Sequence, residues 1–297
     1  MTDRRLRLLT LNVRMGAGGG DLDRPAYDIP ASEARDASLA TAIRAAGADV
    51  VALQEVRNAR HAHKIADRLQ LGVLYAPHPA SYALDFFEWG LALLSRFSII
   101  RSGNFSVFFD TAVRAGRNGL WAEIDVRGQP VAVLNVHFET RRPADQIEAL
   151  RERIARISLP LIVTGDFNLE PDDPVMAPLV GILTDTCRAA ATRGSREAEA
   201  IGTLAAARRR IDHIFVAGPG IHVLDAGLLA PDHRGISDHI GYCADVEIGQ
   251  GFFRPPAAPV PGGFRAGGPG DGPGGVRSSR CRRPWPPGRL RGGRRPT

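Results

Sequence analysis

The chain has 297 residues, 44% of them apolar, enough for a substantial core in one large domain or two small ones, and its composition is neither fibrous nor membranous. Its formal charge of +6 is unevenly placed: residues 249–297 hold ten Arg and one Asp, a net of +9, so the 28 basic and 31 acidic residues of 1–248 sum to −3. A slightly acidic folded part lacks the broad surplus of Lys and Arg that binding along a phosphate backbone uses, and leaves only a local basic groove for such a partner.

The amino terminus, MTDRRLRLLTLNVR, is too charged, and its apolar run too short, for a secretory segment. No stretch approaches the roughly 18 apolar residues of a membrane span, so the expected location is cytoplasmic and no integral membrane segment is expected. Strand character appears first in LRLLTLNV (6–13). A helix follows, with Leu39, Ile43 and Ala46 on one face, Ser32 as N-cap and Gly47 as stop. DVVALQ (49–54) is the next strand, and residues 59–71 place Ala62, Ile65, Ala66 and Leu69 on one side of a second helix. GLALLS (90–95), LWAEIDV (120–126) and PVAVLNVHF (130–138) read as strands. Pro143 opens a third helix, with Ile147, Leu150, Ile154 and Ile157 on its buried side.

The series closes with LPLIVTGDF (159–167), IDHIFV (211–216) and IGYCADVEI (240–248). Near-continuous Val, Leu and Ile runs are expected of strands buried on both faces, and the alternation with helices makes this an α/β domain over residues 1–248. From Gly249 onward 13 Gly and 10 Pro fill 23 of 49 positions, the composition of a disordered tail. Cys187, Cys243 and Cys281 have neither paired nor metal-type spacing and read as reduced, structural residues.

Uncommon polar residues gather at the strand ends. Asn12 ends the first strand, Glu55 the second and His137 the fifth, Asp166 and Asn168 follow the next, and Asp238 and His239 precede the last. Strand ends on one side of a sheet bring groups from distant sequence into one crevice. Asn, Glu and Asp are hard oxygen donors suited to Mg²⁺ or Mn²⁺, and no Cys or multi-His cluster of the kind that selects zinc is present. A hard divalent ion with His and Asp beside it suits phosphoryl transfer to water.

The ordered set LNVR (11–14), LQEV (53–56), LLSRFSII (93–100), NVHFE (135–139), GDFN (165–168), IDHIFV (211–216) and SDH (237–239) resembles the endonuclease/exonuclease/phosphatase superfamily with its DNase I-like fold. It spans residues 5–248. The resemblance implies a four-layer α/β/β/α sandwich and a Mg²⁺- or Mn²⁺-dependent phosphoesterase. It implies Glu55 as principal metal ligand with Asn12 and Asp238 close by, Asp166 to position or deprotonate water, and Asn168 to orient that water or touch phosphate. His239 with Asp212 would form an acid/base dyad, His137 would bind the phosphate, and Glu88 is the candidate support for His137. The chain departs from the family pattern at Leu91, where many members have Asn, and at Ser98, where Pro is usual; neither is a metal or acid/base position.

The expected partner is a phosphodiester substrate, a nucleic acid or a small or lipid-like diester, met by a monomer. Arg114, Arg117, Arg141 and Arg142, with Arg208 to Arg210 ahead of Asp212, offer a local welcome to an anion. The loops 14–31, 72–89 and 185–210 are the expected discriminators of substrate. The rival expectation is a non-catalytic binding protein of the same fold that uses its basic tail for nucleic acid or anionic membrane. GAGGGD (16–21) lacks the Gly-Lys-Ser/Thr ending of a P-loop, and HAH (61–63) sits on a helix, where residues two apart do not share a face.

Overall fold

A computed structural model of the chain describes residues 4–20, 22–79, 88–111, 115–218 and 220–249. Its strands are β1 (Arg5–Asn12), β2 (Val50–Val56), β3 (Gly72–Pro77), β4 (Gly90–Ser95), β5 (Ile99–Asp110), β6 (Ala115–Val126), β7 (Gln129–His137), β8 (Leu161–Asp166), β9 (Thr184–Asp185), β10 (Asp212–Ala217), β11 (Ile221–Leu228) and β12 (Tyr242–Ile248). The main helices are α1 (Glu33–Ala46), α2 (Ala59–Leu69) and α3 (Pro143–Ile154). The tail expected from residue 249 onward, with Cys281, lies outside the described residues apart from Gly249. Among the described residues no helix is long and apolar enough to cross a membrane.

The strands form two six-stranded sheets, ordered β11-β12-β1-β2-β4-β3 and β5-β6-β7-β8-β10-β9. Successive side chains of a strand point to opposite faces, and that parity sorts the core into three slabs. Leu6, Leu8, Val50, Ala52, Leu91 and Leu93 of the first sheet meet Ala122, Ile124, Val131, Val133, Ile162 and Ile214 of the second. The alternate residues Leu9, Leu11, Val51 and Leu53 pack on Leu39 and Ile43 of α1 and Ile65 of α2. On the far side, Leu134, Val163 and Phe215 pack on Ile147, Leu150 and Ile154 of α3. This is the four-layer α/β/β/α sandwich of the DNase I-like fold. A fully buried Leu or Ile contributes about 1.5–3 kcal/mol over its exposed state, so the slabs supply the main drive for the layering.

Local signals place the helices. The Ser32 side chain accepts from Arg35 N at the start of α1, and Gly47 ends it at φ 67°. Asn58 caps α2 by accepting from His61 N, and Pro143 occupies the first turn of α3.

Polar groups interrupt the slab between the sheets close to the strand ends. Gln54 Nε2 donates to Asn135 Oδ1 at 2.8 Å and to Thr10 Oγ1 at 3.1 Å, and Asn135 Nδ2 donates to the carbonyls of Leu53 and Ala92. Thr10, Gln54 and Asn135 are fully buried. A satisfied polar seam of this kind fixes one relative placement of two sheets that apolar packing alone would let slide.

Gly165, one residue before the end of β8, has φ 141°, and a Cβ there would lie 1.9 Å from the Val136 carbonyl oxygen of the paired strand. Gly47 is also left-handed but has open space around it. Gly165→Ala is therefore expected to cost about 3 kcal/mol or more, and Gly47→Ala about 1 kcal/mol. Urea unfolding of the two variants measures both, and equal costs would contradict the close strand approach.

Candidate active site

Three candidate residues form one rung of the second sheet. The parallel β7–β8 register sets His137 opposite Asp166, and the antiparallel β8–β10 register sets Asp212 opposite Asp166 from the other side. His137, Asp166 and Asp212 share the inward parity of Val133, Ile162 and Ile214, so all three point between the sheets. His239, three residues ahead of the start of β12, joins them from the loop. Its Nδ1 contacts Asp212 Oδ2 at 2.8 Å, and its Nε2 lies 3.8 Å from Asp166 Oδ2. His137 Nε2 lies 3.7 Å from that same oxygen. Asp166, Asp212 and His239 present donor atoms within 4.8 Å of one another, and all three residues are buried.

The first sheet supplies the facing half. Asn12 shares the inward parity of Leu6 and Leu8, and its Nδ2 donates at 3.1 Å both to Glu55 Oε1 and to Asp166 Oδ2. Glu55 follows Leu53 by two, so strict alternation would turn it outward toward the helices. It reaches Asn12 because its backbone is left-handed, φ 53°, inside a register shift of β2 against β4 between Leu53 and Val56. A bulge of this kind re-aims one side chain, and a non-glycine residue in it carries strain of order 1–3 kcal/mol.

Asp238 completes this half. Ser237 Oγ donates to the Asn12 carbonyl at 2.7 Å and lies 3.1 Å from Asp238 Oδ1, and Arg14 Nε stands 3.6 Å from Asp238 Oδ2. The same Arg14 guanidinium donates to the carbonyls of Gly18, Gly20 and Arg24, which ties the glycine-rich loop to Asp238. Asn168, left-handed at φ 54°, donates from its backbone N to Asp166 Oδ1 at 2.9 Å and from Nδ2 to the Phe138 carbonyl at 2.8 Å. The eight candidates thus form one connected cluster drawn from both sheets.

Burial dominates the electrostatics. The Glu55 carboxyl is raised first by burial and then by Asp238, against the lowering hydrogen bond from Asn12. Asp166 is raised by burial and by Asp212. For His239 burial opposes the charge, but Asp212, then Asp166 and Asp238, outweigh it and hold the imidazole above its usual range. His137 is pushed the other way, well below the ordinary imidazole value, by burial and then by Arg117. The two histidines beside Asp166 therefore differ in charge, His239 favouring the imidazolium and His137 the neutral ring.

Several sequence expectations about the surroundings change. Glu88 is exposed and acts on the Tyr75 phenol, which burial and then Glu88 hold above its usual ionisation range, so it offers His137 no support. Arg210 is 3% exposed and spent on a buried pair with Asp185 at 2.6 Å, and Arg209 pairs with Glu170. Arg141 pairs with Asp110 and Arg142 with Asp145, while Arg114 lies outside the described residues. Arg117 stacks on Trp89, 4.4 Å from the ring centre, and contacts Glu139 at 3.0 Å.

Sequence reasoning did not single out Thr203, whose Oγ1 accepts from Ile211 N and Asp212 N and whose carbonyl accepts from Ile240 N, holding both partners of the Asp212–His239 pair. It also passed over His78 and Trp89, which pack against His137. A cavity of about 800 Å³ opens between residues 17–20, α1 and residues 231–236, and none of the eight candidates lines it.

Comparison with known proteins bears on this architecture. The sequence profile of the Endonuclease/Exonuclease/phosphatase family matches residues 9–239, over three quarters of the chain. The chain belongs to this family. A search of curated proteins returns no match. Among solved structures, an endonuclease/exonuclease/phosphatase from Beutenbergia cavernae is 22% identical with a TM-score of 0.66, over 84% of this chain and 72% of that one. The human Nocturnin catalytic domain with bound sulfate is 20% identical, TM-score 0.63, over 82% and 93%. A mannosyl-6-phosphatase of Bacteroides thetaiotaomicron is 21% identical, TM-score 0.62, over 81% and 99%. At these identities the structural likeness speaks for the fold, and members of the family are hydrolases of phosphoester bonds.

Asn12→Ala leaves the half-buried Glu55 and the buried Asp166 without their shared donor. It is expected to lower kcat/KM for a phosphoester about 100-fold and stability by about 1–3 kcal/mol, read by steady-state kinetics and urea unfolding. A second expectation concerns pH. His213, fully buried on β10, is lowered to about 4, by burial first and then by Arg210. A folded-state value below the unfolded 6.5 means the unfolded chain binds the extra proton as pH falls. Its contribution is fully present above pH 6.5 and is lost toward pH 4, by about 1.4 kcal/mol per unit at most. Urea midpoints at pH 7 and pH 5 should show the loss, and His213→Gln should flatten it.

Proposed function

We propose that this chain is a divalent-metal-dependent phosphoesterase, using Mg²⁺ or Mn²⁺, that hydrolyses a phosphodiester by direct attack of water. The single observation that carries the reading is the Asn12 amide held between Glu55 and Asp166, with the His137–Asp166–Asp212 rung and His239 beside it. The residues fit a hard divalent ion. Glu55 is a half-buried carboxyl held by a neutral amide beside a second acid, Asp238, and burial with Asp238 raises it more than His239 and Arg117 lower it, so a cation at this position would stabilise its ionised form. The donors are oxygens, and Nδ1 of the nearest imidazole is already committed to Asp212.

Glu55 would hold the ion, with Asn12 and Asp238 alongside. Such an ion neutralises phosphate charge and polarises the P–O bond. Asp166, fixed by Asn12 through one oxygen and by Asn168 N through the other, aligns the attacking water and takes its proton. Asn168 makes no hydrogen bond through Oδ1 among the described residues, which leaves that oxygen to orient the water. His137, kept neutral, donates to a phosphate oxygen. His239, held as the imidazolium by Asp212, gives its proton to the leaving oxygen.

The fold neighbours include a sugar-phosphate phosphatase and a domain carrying sulfate, which supports a phosphoryl-group substrate without choosing its remainder. The test is a panel of a chromogenic diester, a phosphomonoester, abasic and single-stranded DNA, RNA, phosphoinositides and sphingomyelin, each with Mg²⁺, Mn²⁺ or EDTA. Turnover should vanish in EDTA, and Glu55→Ala should lose about 10³-fold. Added Mg²⁺ should raise the Tm of the natural chain and leave that of Glu55→Ala unmoved. Failure on every substrate, or activity indifferent to EDTA and to Glu55→Ala, removes the reading. Ending the chain at residue 248 should preserve turnover, whereas a tail-driven binding protein would show none and lose its salt-sensitive affinity.

A further inference from the structure

With Glu88 acting on Tyr75, the Nδ1 of the ring that would touch phosphate is buried with no hydrogen-bond partner among the described residues. One neighbouring ring has the complementary defect. His78, immediately after β3, takes a hydrogen bond at Nδ1 from Asn118 N at 3.1 Å, so its proton sits on Nε2, and that Nε2–H is also buried with no partner. His78 is anchored besides by its own backbone N–H, which donates to the Trp89 carbonyl at 2.9 Å. The ring centres of His78 and His137 are 6.1 Å apart at a tilt of 57°, and Trp89 packs edge-on against both, at 4.8 and 5.5 Å.

We propose that His78 is the positioning partner of His137: its Nε2–H donates to His137 Nδ1, directly or through one buried water, and fixes His137 as the Nε2–H tautomer. With the ring centres 6.1 Å apart, a direct bond of about 3 Å between the nitrogens needs the two rings to turn toward each other, and a buried water bridging two such groups is the alternative link. Either link satisfies two buried groups that are otherwise left unpaired, which is costly. The link leaves His137 with one N–H, on the nitrogen 3.7 Å from Asp166 Oδ2, where a phosphate oxygen can accept it. A carboxylate behind His137 would favour the imidazolium and place a third cation beside Arg117 and His239. A neutral imidazole orients the ring without adding charge. Arg117, over the face of Trp89, disfavours a proton on either ring, and Asp166 faces His137 from the Nε2 side.

The inference rests on the phosphoesterase reading only for its consequence in turnover, and the tautomer is measured without substrate. Full-length protein with ¹⁵N-labelled histidine is examined by long-range ¹H–¹⁵N correlation, with the His137 signals assigned by their loss in His137→Gln. The expected pattern is a protonated Nε2 and a bare Nδ1 on His137. In His78→Phe these nitrogens should move toward an averaged tautomer, and kcat should fall about 10-fold or more with KM within about 3-fold. His78→Gln, which keeps a donor, should recover kcat to within about 3-fold. A His137 that carries its proton on Nδ1 in the natural chain overturns the proposal, whatever the variants do, because that nitrogen could not accept. His137 nitrogens and kcat both unmoved in a folded His78→Phe overturn it equally. A natural chain with the expected tautomer and no turnover on any phosphoester would instead count against the phosphoesterase reading and leave the His78 link standing.

Discussion

One amide holds the two halves of the site together. Asn12 stands at the end of β1 with two donor hydrogens and spends one on Glu55 of its own sheet and one on Asp166 of the other. Two carboxylates at that depth repel each other and resist burial, and a neutral group donating to both is the smallest device that keeps them close. It has consequences on every side. The Asn12 carbonyl receives Ser237 and so fixes the entry to Asp238 and His239, while its Oδ1 receives Arg14 N and sets the turn whose guanidinium gathers the glycine-rich loop. The seam of Thr10, Gln54 and Asn135 lies directly beneath and holds the sheets at the separation the bridge requires.

Strand parity explains which residues could enter the crevice and which needed help. Asn12, His137, Asp166 and Asp212 fall on the inward alternation that carries the central slab, so ordinary pleating delivers them. Glu55 does not, and the left-handed bulge that turns it inward is the strained exception. Strain at a residue so close to two other acids is consistent with the proposed role of Glu55 and serves no purpose in the strand itself.

The same parity decides how much could be read from the residues. The eight strands recognised in the sequence are the eight interior strands of the two sheets. The unrecognised β3, β5, β9 and β11 are the four edges. Interior strands are buried on both faces and leave continuous apolar runs. An edge strand such as β5, IIRSGNFSVFFD, exposes half its length and mixes Arg, Ser, Gly and Asn among the apolar positions. The site followed a similar division. Residues at the ends of interior strands were legible because a polar group breaks an apolar run there. Thr203, His78 and Trp89 lie in connecting segments with no such contrast, and Gln54 and Asn135 looked like flanking letters of their motifs until the second sheet was in place. The arginines misled for a related reason: a charge run carries no sign of whether a partner such as Asp185 waits across the fold.

The rung of His137, Asp166 and Asp212 has an evolutionary corollary. Their backbones are spaced by the pitch of a sheet, about 4.8 Å per strand, a distance that belongs to main-chain hydrogen bonding and is indifferent to loop sequence. A descendant that rewrites every connection around the crevice inherits the same ruler. New specificity can therefore be tried on the rim while the chemistry beneath stays calibrated.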